Sequence, residues 1–356
     1  MTANPIDQVA EVAEVAPVAK EYRIGVDLGG TKLAVAVVDS QGEICGDSVS
    51  YDHKSLTEEQ VLDCIERNID AAIQDVVARH SASGKPVAIE NVRGKIKGIG
   101  LLFPGHIQWP EGRTLTTSNL PGFRDFPLRE RMQERTGLPC VADNDANGQT
   151  LAEYLYGAGK GIDPLVFMTV STGIGGGIII DGKLYRGFTG TAGEFGHMIV
   201  DASSDRRCTC GNYGCLMGVA SGIVLPEVAR RLATELADEG ECLKLPRGCD
   251  DFTLMDGAML AAGCAEKNEL CMALVDDFAR YIGIGLYNIF QILNPMGVVL
   301  GGGLMNLPDF FFDKVTSTCY ERAGLMMHDH MLIRKGTLGP KAGVLGAAAL
   351  VGLVTC

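Results

Sequence analysis

Apolar residues return along this chain with two spacings, alternation where strands are expected and every third or fourth residue where helices are. Residues 22–27, 32–39 and 44–51 are short β-branched runs joined by glycine-bearing turns, and they predict a three-stranded meander. Val61, Ile65, Ile69, Ile73 and Val77 then recur every fourth residue, which predicts an amphipathic helix. A strand at 96–102 runs into Phe103-Pro104-Gly105, and another at 140–142 runs into Asp143-Asn144-Asp145. Cap-forming residues there open a helix that stops near Gly157.

The pattern then begins again. Residues 165–171, 177–181 and 183–186 predict a second meander, broken by a glycine-rich turn and an Asp181-Gly182 hairpin signal. Residues 226–268 are charged, helix-like at 228–236 and loop-like at 244–251, and they predict a helical excursion of the second half. Leu270, Leu274, Phe278, Ile282, Leu286, Ile289 and Leu293 form one long stripe, halted by Asn294-Pro295 and followed by a buried strand at 297–300. Strands and helices alternate throughout, so the fold class is α/β.

A chain of 356 residues with 46% hydrophobic and 21% charged content has room for two domains and a full core. Its net charge of -13, with no lysine and arginine cluster, speaks against nucleic acid or an anionic membrane as partner. Residues 1–20 mix Ala and Val with Glu and lack a basic start and a cleavage-like site, so they read as a soluble tail rather than a signal peptide. No apolar run reaches the roughly 18 residues that span a bilayer. The expected compartment is the cytoplasm, where thiols stay reduced and favour metal over disulfides.

Three glycine-rich turns follow strands: Asp27-Leu28-Gly29-Gly30-Thr31-Lys32, Ser171-Thr172-Gly173-Ile174-Gly175-Gly176-Gly177 and Gly301-Gly302-Gly303. Backbone amides converge on an anion only where no side chain intervenes, so the turns point to a nucleotide clasped between two lobes. None fits the phosphate loop ending in Gly-Lys-Ser/Thr or the dinucleotide fingerprint. Asp27 would face the phosphates, where a carboxylate suits magnesium or its waters. Between Gly193-Glu194-Phe195-Gly196-His197 and Cys208-Thr209-Cys210-Gly211-Asn212-Tyr213-Gly214-Cys215 the chain brings one imidazole and three thiols together. Four such ligands make a closed, structural zinc site, His197, Cys208, Cys210 and Cys215; ordinary buried thiols are the other reading.

These segments, with Asn119-Leu120-Pro121-Gly122 and Asn144-Asp145-Ala146-Asn147, resemble the ROK family (repressor, open reading frame, kinase) of the actin, hexokinase and heat-shock-chaperone superfamily. The resemblance runs from about Tyr22 to Ala349 and implies two ribonuclease-H-like lobes around a cleft. It places a tail at 1–21, an N-terminal lobe at 22–138 completed by a C-terminal helix at about 340–356, and a C-terminal lobe at 139–339 carrying a zinc loop at 193–217. It implies ATP held by Asp27, Gly29, Gly30, Thr31, Lys32, Thr172 and Gly173, with adenosine near Gly301 and Gly302. A sugar would be held by Gly105, Asn119, Asn144, Asp145, Glu194 and His197. Relatives are often dimers or tetramers, so a homodimer or homotetramer is expected.

The implied reaction is phosphorylation of a hexose hydroxyl by magnesium-ATP, with Asp145 receiving the hydroxyl proton. On residues alone Asp145 reads as a helix cap; the resemblance reverses that weighting. Glucose leads, with N-acetylmannosamine, N-acetylglucosamine or fructose behind. The family commonly carries Glu two residues after the third zinc cysteine, and this chain has Met217 there. That departure keeps a catalytically weak sugar sensor in view. A DNA-binding repressor is disfavoured, because the segment before the first strand is too short and acidic for a helix-turn-helix.

Overall fold

Each predicted meander becomes three strands of a five-stranded sheet. In the computed structural model, which describes residues 21–30, 32–51, 55–117, 120–237, 243–324 and 330–354, strands β1 (Tyr22–Leu28), β2 (Leu33–Asp39) and β3 (Ile44–Ser50) pair antiparallel. Residues 1–20, Thr31 and Asn119 lie outside the described residues. Strand β4 (Ile96–Phe103) lies parallel beside β1; a small hairpin, β5 (His106–Gln108) and β6 (Arg113–Thr116), projects beyond it. Strand β7 (Cys140–Asn144) then lies parallel beside β4, giving the order β3-β2-β1-β4-β7. The first sheet therefore extends to Asn144, past the boundary at 138 read from sequence, because β7 pairs from Ile99↔Cys140 to Phe103↔Asn144.

The second sheet repeats the plan. Strands β8 (Leu165–Val170), β9 (Ile174–Ile180) and β10 (Lys183–Leu184) form the meander, and β11 (Gly297–Gly301) and β12 (Leu332–Lys335) add in parallel, in the order β10-β9-β8-β11-β12. Two parallel additions beside the first strand of a meander, twice over, give the actin/hexokinase-like arrangement of duplicated lobes.

Helix α1 (Glu58–Ala82) starts at a capping box, Thr57 with Gln60, and buries Val61, Leu62, Ile65, Ile69, Ile73 and Val76 against the first sheet. The shorter α2 (Ile89–Arg93) and α3 (Leu128–Thr136) complete that face. In the second lobe, α5 (Leu216–Ala220), α6 (Leu225–Glu235) and α7 (Gly257–Ala265) surround α8 (Glu269–Leu293), whose stripe of Leu274, Phe278, Ile282 and Leu286 is fully buried. Helix α9 (Asp309–Tyr320) packs along α8. No helix among the described residues is long and apolar enough to cross a membrane.

Two helices meet between the lobes. Helix α4 (Asp145–Tyr156) packs on β8 and β9, while α10 (Ala342–Val354) packs on β1 and β4 and crosses α4. The crossing is backbone to backbone, since a Cβ on Gly346 would stand 1.9 Å from the Gly148 carbonyl oxygen; α10 lies as close to β4, where a Cβ on Gly100 would stand 1.7 Å from the Ala347 carbonyl oxygen. Leu102, Val141, Leu151, Phe167 and Leu350 fill the core that the lobes share. The end of β7, where α4 begins, is held from both sides.

Candidate functional site

A cleft of about 1770 Å³ opens between the lobes, floored by the carboxyl ends of the parallel strands. In open α/β sheets the loops at these ends face one crevice, and side chains distant in sequence meet there. Asp27, Gly29, Gly30, Lys32, Gly105, Asn144, Asp145, Thr172, Gly173, Glu194, His197, Gly301 and Gly302 all line it, as does Cys210. Cys208 and Cys215 lie behind that wall, buried.

Asp145 is the first residue of α4, and it is Asn144 that caps the helix. Asn144 Oδ1 accepts from the Ala146 and Asn147 amides at 2.9 and 3.3 Å, while its Nδ2 donates to the Gly105 carbonyl at 3.0 Å. The capping reading of Asp145 is thereby displaced by one residue. Its Oδ1 accepts from the Ala146 amide at 2.8 Å. Burial pushes the Asp145 carboxyl up to about 7, with the negative charges of Asp27 and Glu194 adding to the rise. Burial likewise pushes Asp27 up to about 6 against the pull of Lys32. A Cβ on Gly343 would stand 2.0 Å from Asp27 Oδ2, so the start of α10 seats this carboxylate closely. Two desolvated carboxyls facing one cleft suit a bound cation or a transferable proton.

Glu194 stands between two imidazoles. His106 Nε2 approaches Glu194 Oε1 at 3.4 Å from the first lobe, and His197 Nε2 approaches Oε2 at 3.9 Å from the second. The other ring nitrogen of His197, Nδ1, lies 3.5 Å from Cys208 Sγ, and Cys210 Sγ lies 3.7 Å from Cys215 Sγ. One donor atom from each of His197, Cys208, Cys210 and Cys215 falls within 4.8 Å of the other three. A tetrahedral zinc with bonds of about 2.3 Å to sulfur and about 2.0–2.1 Å to nitrogen requires edges of about 3.8 and about 3.6 Å, so the donor set fits that ion.

The glycine turns divide into two kinds. Gly29 closes the tight β1–β2 turn by donating to the Lys32 carbonyl at 2.9 Å, and Gly302 adopts φ 91° where a Cβ would strike the backbone of Val170. The second turn is shorter than the sequence suggested, since β9 begins at Ile174 and Gly175, Gly176 and Gly177 are strand residues. Packing is the reason at two of them: a Cβ on Gly177 would meet Thr150 Oγ1 of α4 at 2.3 Å, and one on Gly176 the Phe195 ring at 2.5 Å. Only Ser171, Thr172 and Gly173 remain as the turn, braced by the Gly222 and Ile223 amides, which donate to the Ser171 and Thr172 carbonyls at 2.7 and 2.9 Å.

Among the cleft residues to which the sequence reading assigned no role are His106, Asn147 and Lys335. His106 directly follows the Pro104-Gly105 signal at the end of β4, which was the clue to it. Asn147 is 2% exposed and lines the cleft; its Oδ1 is the one buried side-chain oxygen or nitrogen without a partner among the described residues. Lys335, at the end of β12, had no local signal; it reaches Asp309 at 2.6 Å.

A cleft clasped by two like lobes, with crossed helices between them, defines a protein of the actin/hexokinase-like fold. A model of the ROK family matches residues 23–353, and the chain belongs to that family. It is 32% identical over 330 residues to a glucokinase of Halalkalibacterium halodurans, covering 93% of this chain and 94% of that one. It is 30% identical over 328 residues to a putative xylose repressor of Caldicellulosiruptor sp., covering 92% of this chain and 77% of the other. The crystal structure of a ROK family glucokinase from Streptomyces griseus in complex with glucose and AMPPNP superposes with a TM-score of 0.73 at 30% identity, covering 92% and 98%.

Proposed function

We propose that this chain transfers the γ-phosphoryl group of ATP to the primary hydroxyl of a hexose, glucose first among candidates. The observation that carries the reading is the Asp145 carboxyl, raised to about 7, relieved of capping by Asn144, and set in one cleft with the glycine turns and Glu194. The sugar oxygen attacks the γ-phosphorus, the bond from phosphorus to the β–γ bridging oxygen breaks, ADP leaves, and the hydroxyl proton passes to Asp145. A carboxylate of raised pKa is a stronger base than an ordinary one, although in a loose transition state positioning contributes more than basicity. Gly30, Thr172 and Gly173 offer amides to the phosphates, Gly29 shapes the first turn through its bond to the Lys32 carbonyl, and Gly301 and Gly302 border the nucleoside. Asn119, Asn144, Glu194 and His197 hold the sugar hydroxyls. The relatives named glucokinase and the neighbour holding glucose and AMPPNP support this assignment.

Magnesium, when bound, neutralises phosphate charge; Asp27, desolvated at the cleft wall, is the residue fitted to hold it or its waters. His197, Cys208, Cys210 and Cys215 would hold zinc with four protein donors, and its contribution would then be structural. With Nδ1 of His197 turned to the thiols, Nε2 stays free for Glu194 or a sugar hydroxyl.

Met217 lines the cleft where the resemblance expects a glutamate, and this favours, as second reading, a sugar-binding protein of weak turnover. ADP release with magnesium-ATP across glucose, fructose, N-acetylglucosamine and N-acetylmannosamine separates the two. One sugar should stand out by at least tenfold in kcat/KM. A zinc-replete protein that binds a sugar yet releases no ADP above background with any of them would refute the kinase reading.

A further inference from the structure

A buried ion pair joins the lobes beside the two cleft carboxylates, and nothing in the reaction described so far uses it. Asp143, the residue before the helix cap, is 2% exposed, and four donors converge on it. Oδ1 accepts from the Asn144 amide at 2.8 Å and Asn147 Nδ2 at 2.9 Å; Oδ2 accepts from Arg186 Nε at 2.9 Å and Nη2 at 2.7 Å. Arg186 follows β10 of the second sheet, while Asp143 is the last but one residue of β7 of the first. The guanidinium also lies 3.7 Å above the ring of Trp109, in the β5–β6 hairpin of the first lobe, and this is the sole tryptophan of the chain.

The main chain of Arg186 is engaged too. Its carbonyl accepts from the Ala192 amide at 3.0 Å, which closes the loop 187–191 on itself immediately before Glu194. Across that loop a Cβ on Gly190 would stand 3.1 Å from the Ile107 carbonyl oxygen, so the loop rests on the same hairpin. Arg186 thus fixes the segment leading to Glu194 by its backbone and the strand leading to Asp145 by its side chain.

We infer that Arg186 is a positioning residue: its side chain, forked onto Asp143 and stacked on Trp109, sets the distance across the cleft between Asp145 and Glu194. A guanidinium serves where a lysine would not, since its plane covers an aromatic face while two edge N–H groups meet one carboxylate. Removing it shifts Asp145 relative to the sugar without touching the glycine turns that hold the phosphates. Proton acceptance and sugar affinity fall together; nucleotide affinity does not. The catalytic part of this inference rests on the kinase reading, and the binding part does not.

The test compares wild type, Arg186→Lys, Arg186→Met and the double variant Asp143→Asn/Arg186→Met. The double variant removes the carboxylate charge that Arg186→Met leaves buried alone, so it separates loss of folding from loss of alignment. Calorimetric Kd for ATP and for the preferred sugar, kcat and thermal melting are measured on each. The double variant should melt within a few degrees of wild type, bind ATP within about twofold, bind sugar at least tenfold more weakly and turn over at least tenfold more slowly. Arg186→Lys should lie between. A double variant that folds and matches wild type in sugar Kd and kcat overturns the inference, as does parallel loss of ATP and sugar affinity. Absence of turnover in wild type itself would refute the kinase reading, while sugar Kd would still decide the role of Arg186.

Discussion

Replacing Asp145 by asparagine should move stability and turnover in opposite directions. Its carboxyl is pushed from 3.8 up to about 7 in the folded chain, so folding disfavours the ionised form. For a carboxyl raised on folding, the stabilising contribution is fully present below the unfolded pKa and is lost as pH rises through the folded one. Here the window runs from about pH 4 to about pH 7. At 1.36 kcal/mol per pKa unit, the shift sets a ceiling of about 4 kcal/mol on what the ionised group costs at pH 8.5, and about 2 kcal/mol of it has already been lost at pH 5.5. Partial exposure to the cleft and coupling to Asp27 and Glu194 lower these figures, and about 1–3 kcal/mol at pH 8.5 is the working expectation.

Asparagine keeps the oxygen that accepts from the Ala146 amide and drops the charge. Asp145→Asn should therefore melt a few degrees higher than wild type at pH 8.5 in magnesium- and nucleotide-free buffer, with a smaller gap at pH 5.5. Turnover under magnesium-ATP should fall about 10²- to 10⁴-fold in the same preparation. Paired melts at the two pH values and a coupled ADP assay are sufficient. A variant that melts no higher than wild type at pH 8.5, or a gap that fails to widen with pH, would refute the account of the raised carboxyl; unchanged turnover would remove Asp145 from the reaction.

Freshly purified protein should carry one equivalent of zinc per chain by metal analysis, and Cys210→Ser should lose it while the sugar KM rises about 10- to 100-fold; a metal-free but fully active wild type would contradict the assignment. Glu194→Gln should raise the sugar KM by about 10- to 100-fold, the worth of a charge-assisted hydrogen bond of about 1.5–3 kcal/mol, with the ATP KM unchanged. Equal rises in both constants would show that Glu194 does more than hold the sugar. Gly100→Ala should lower stability by about 1–3 kcal/mol or more in urea melts, because its Cβ would stand 1.7 Å from the Ala347 carbonyl oxygen of α10.

Both meanders, α1 and the long stripe of α8 were legible because a single period of burial runs through each, and burial is what the sequence records. The cleft residues that announced themselves carry either a turn or a ligand set. Gly29 and Gly30 follow a strand in a turn that lines the cleft, and His197 with three cysteines offers metal donors within a short span. Gly176 and Gly177 misled for the opposite reason. Glycine answers equally to a phosphate in front of it and to Thr150 or Phe195 behind it, and only tertiary packing separates the two. The same ambiguity shifted the boundary at 138, since a short apolar strand carries no mark of which sheet it will join until its partner β4 is known.

Arg186 shows where such reading stops. An arginine after a hairpin is by default a solvated charge, and its partner Asp143 lies 43 residues away on the other lobe. What distinguishes it is convergence: four donors on a carboxylate that the shared core removes from water, at the one strand end from which α4 departs. Removing a charge from water is costly unless donors replace the water, so such a pair persists where its geometry is needed. Here that geometry is the spacing of two carboxylates, one fixed by the start of a helix and the other by a loop closed on the arginine's own carbonyl. A cleft between lobes can keep that spacing only if something other than the ligand ties the lobes together beside it, and Arg186, held by Asp143 and Trp109, is placed to do so.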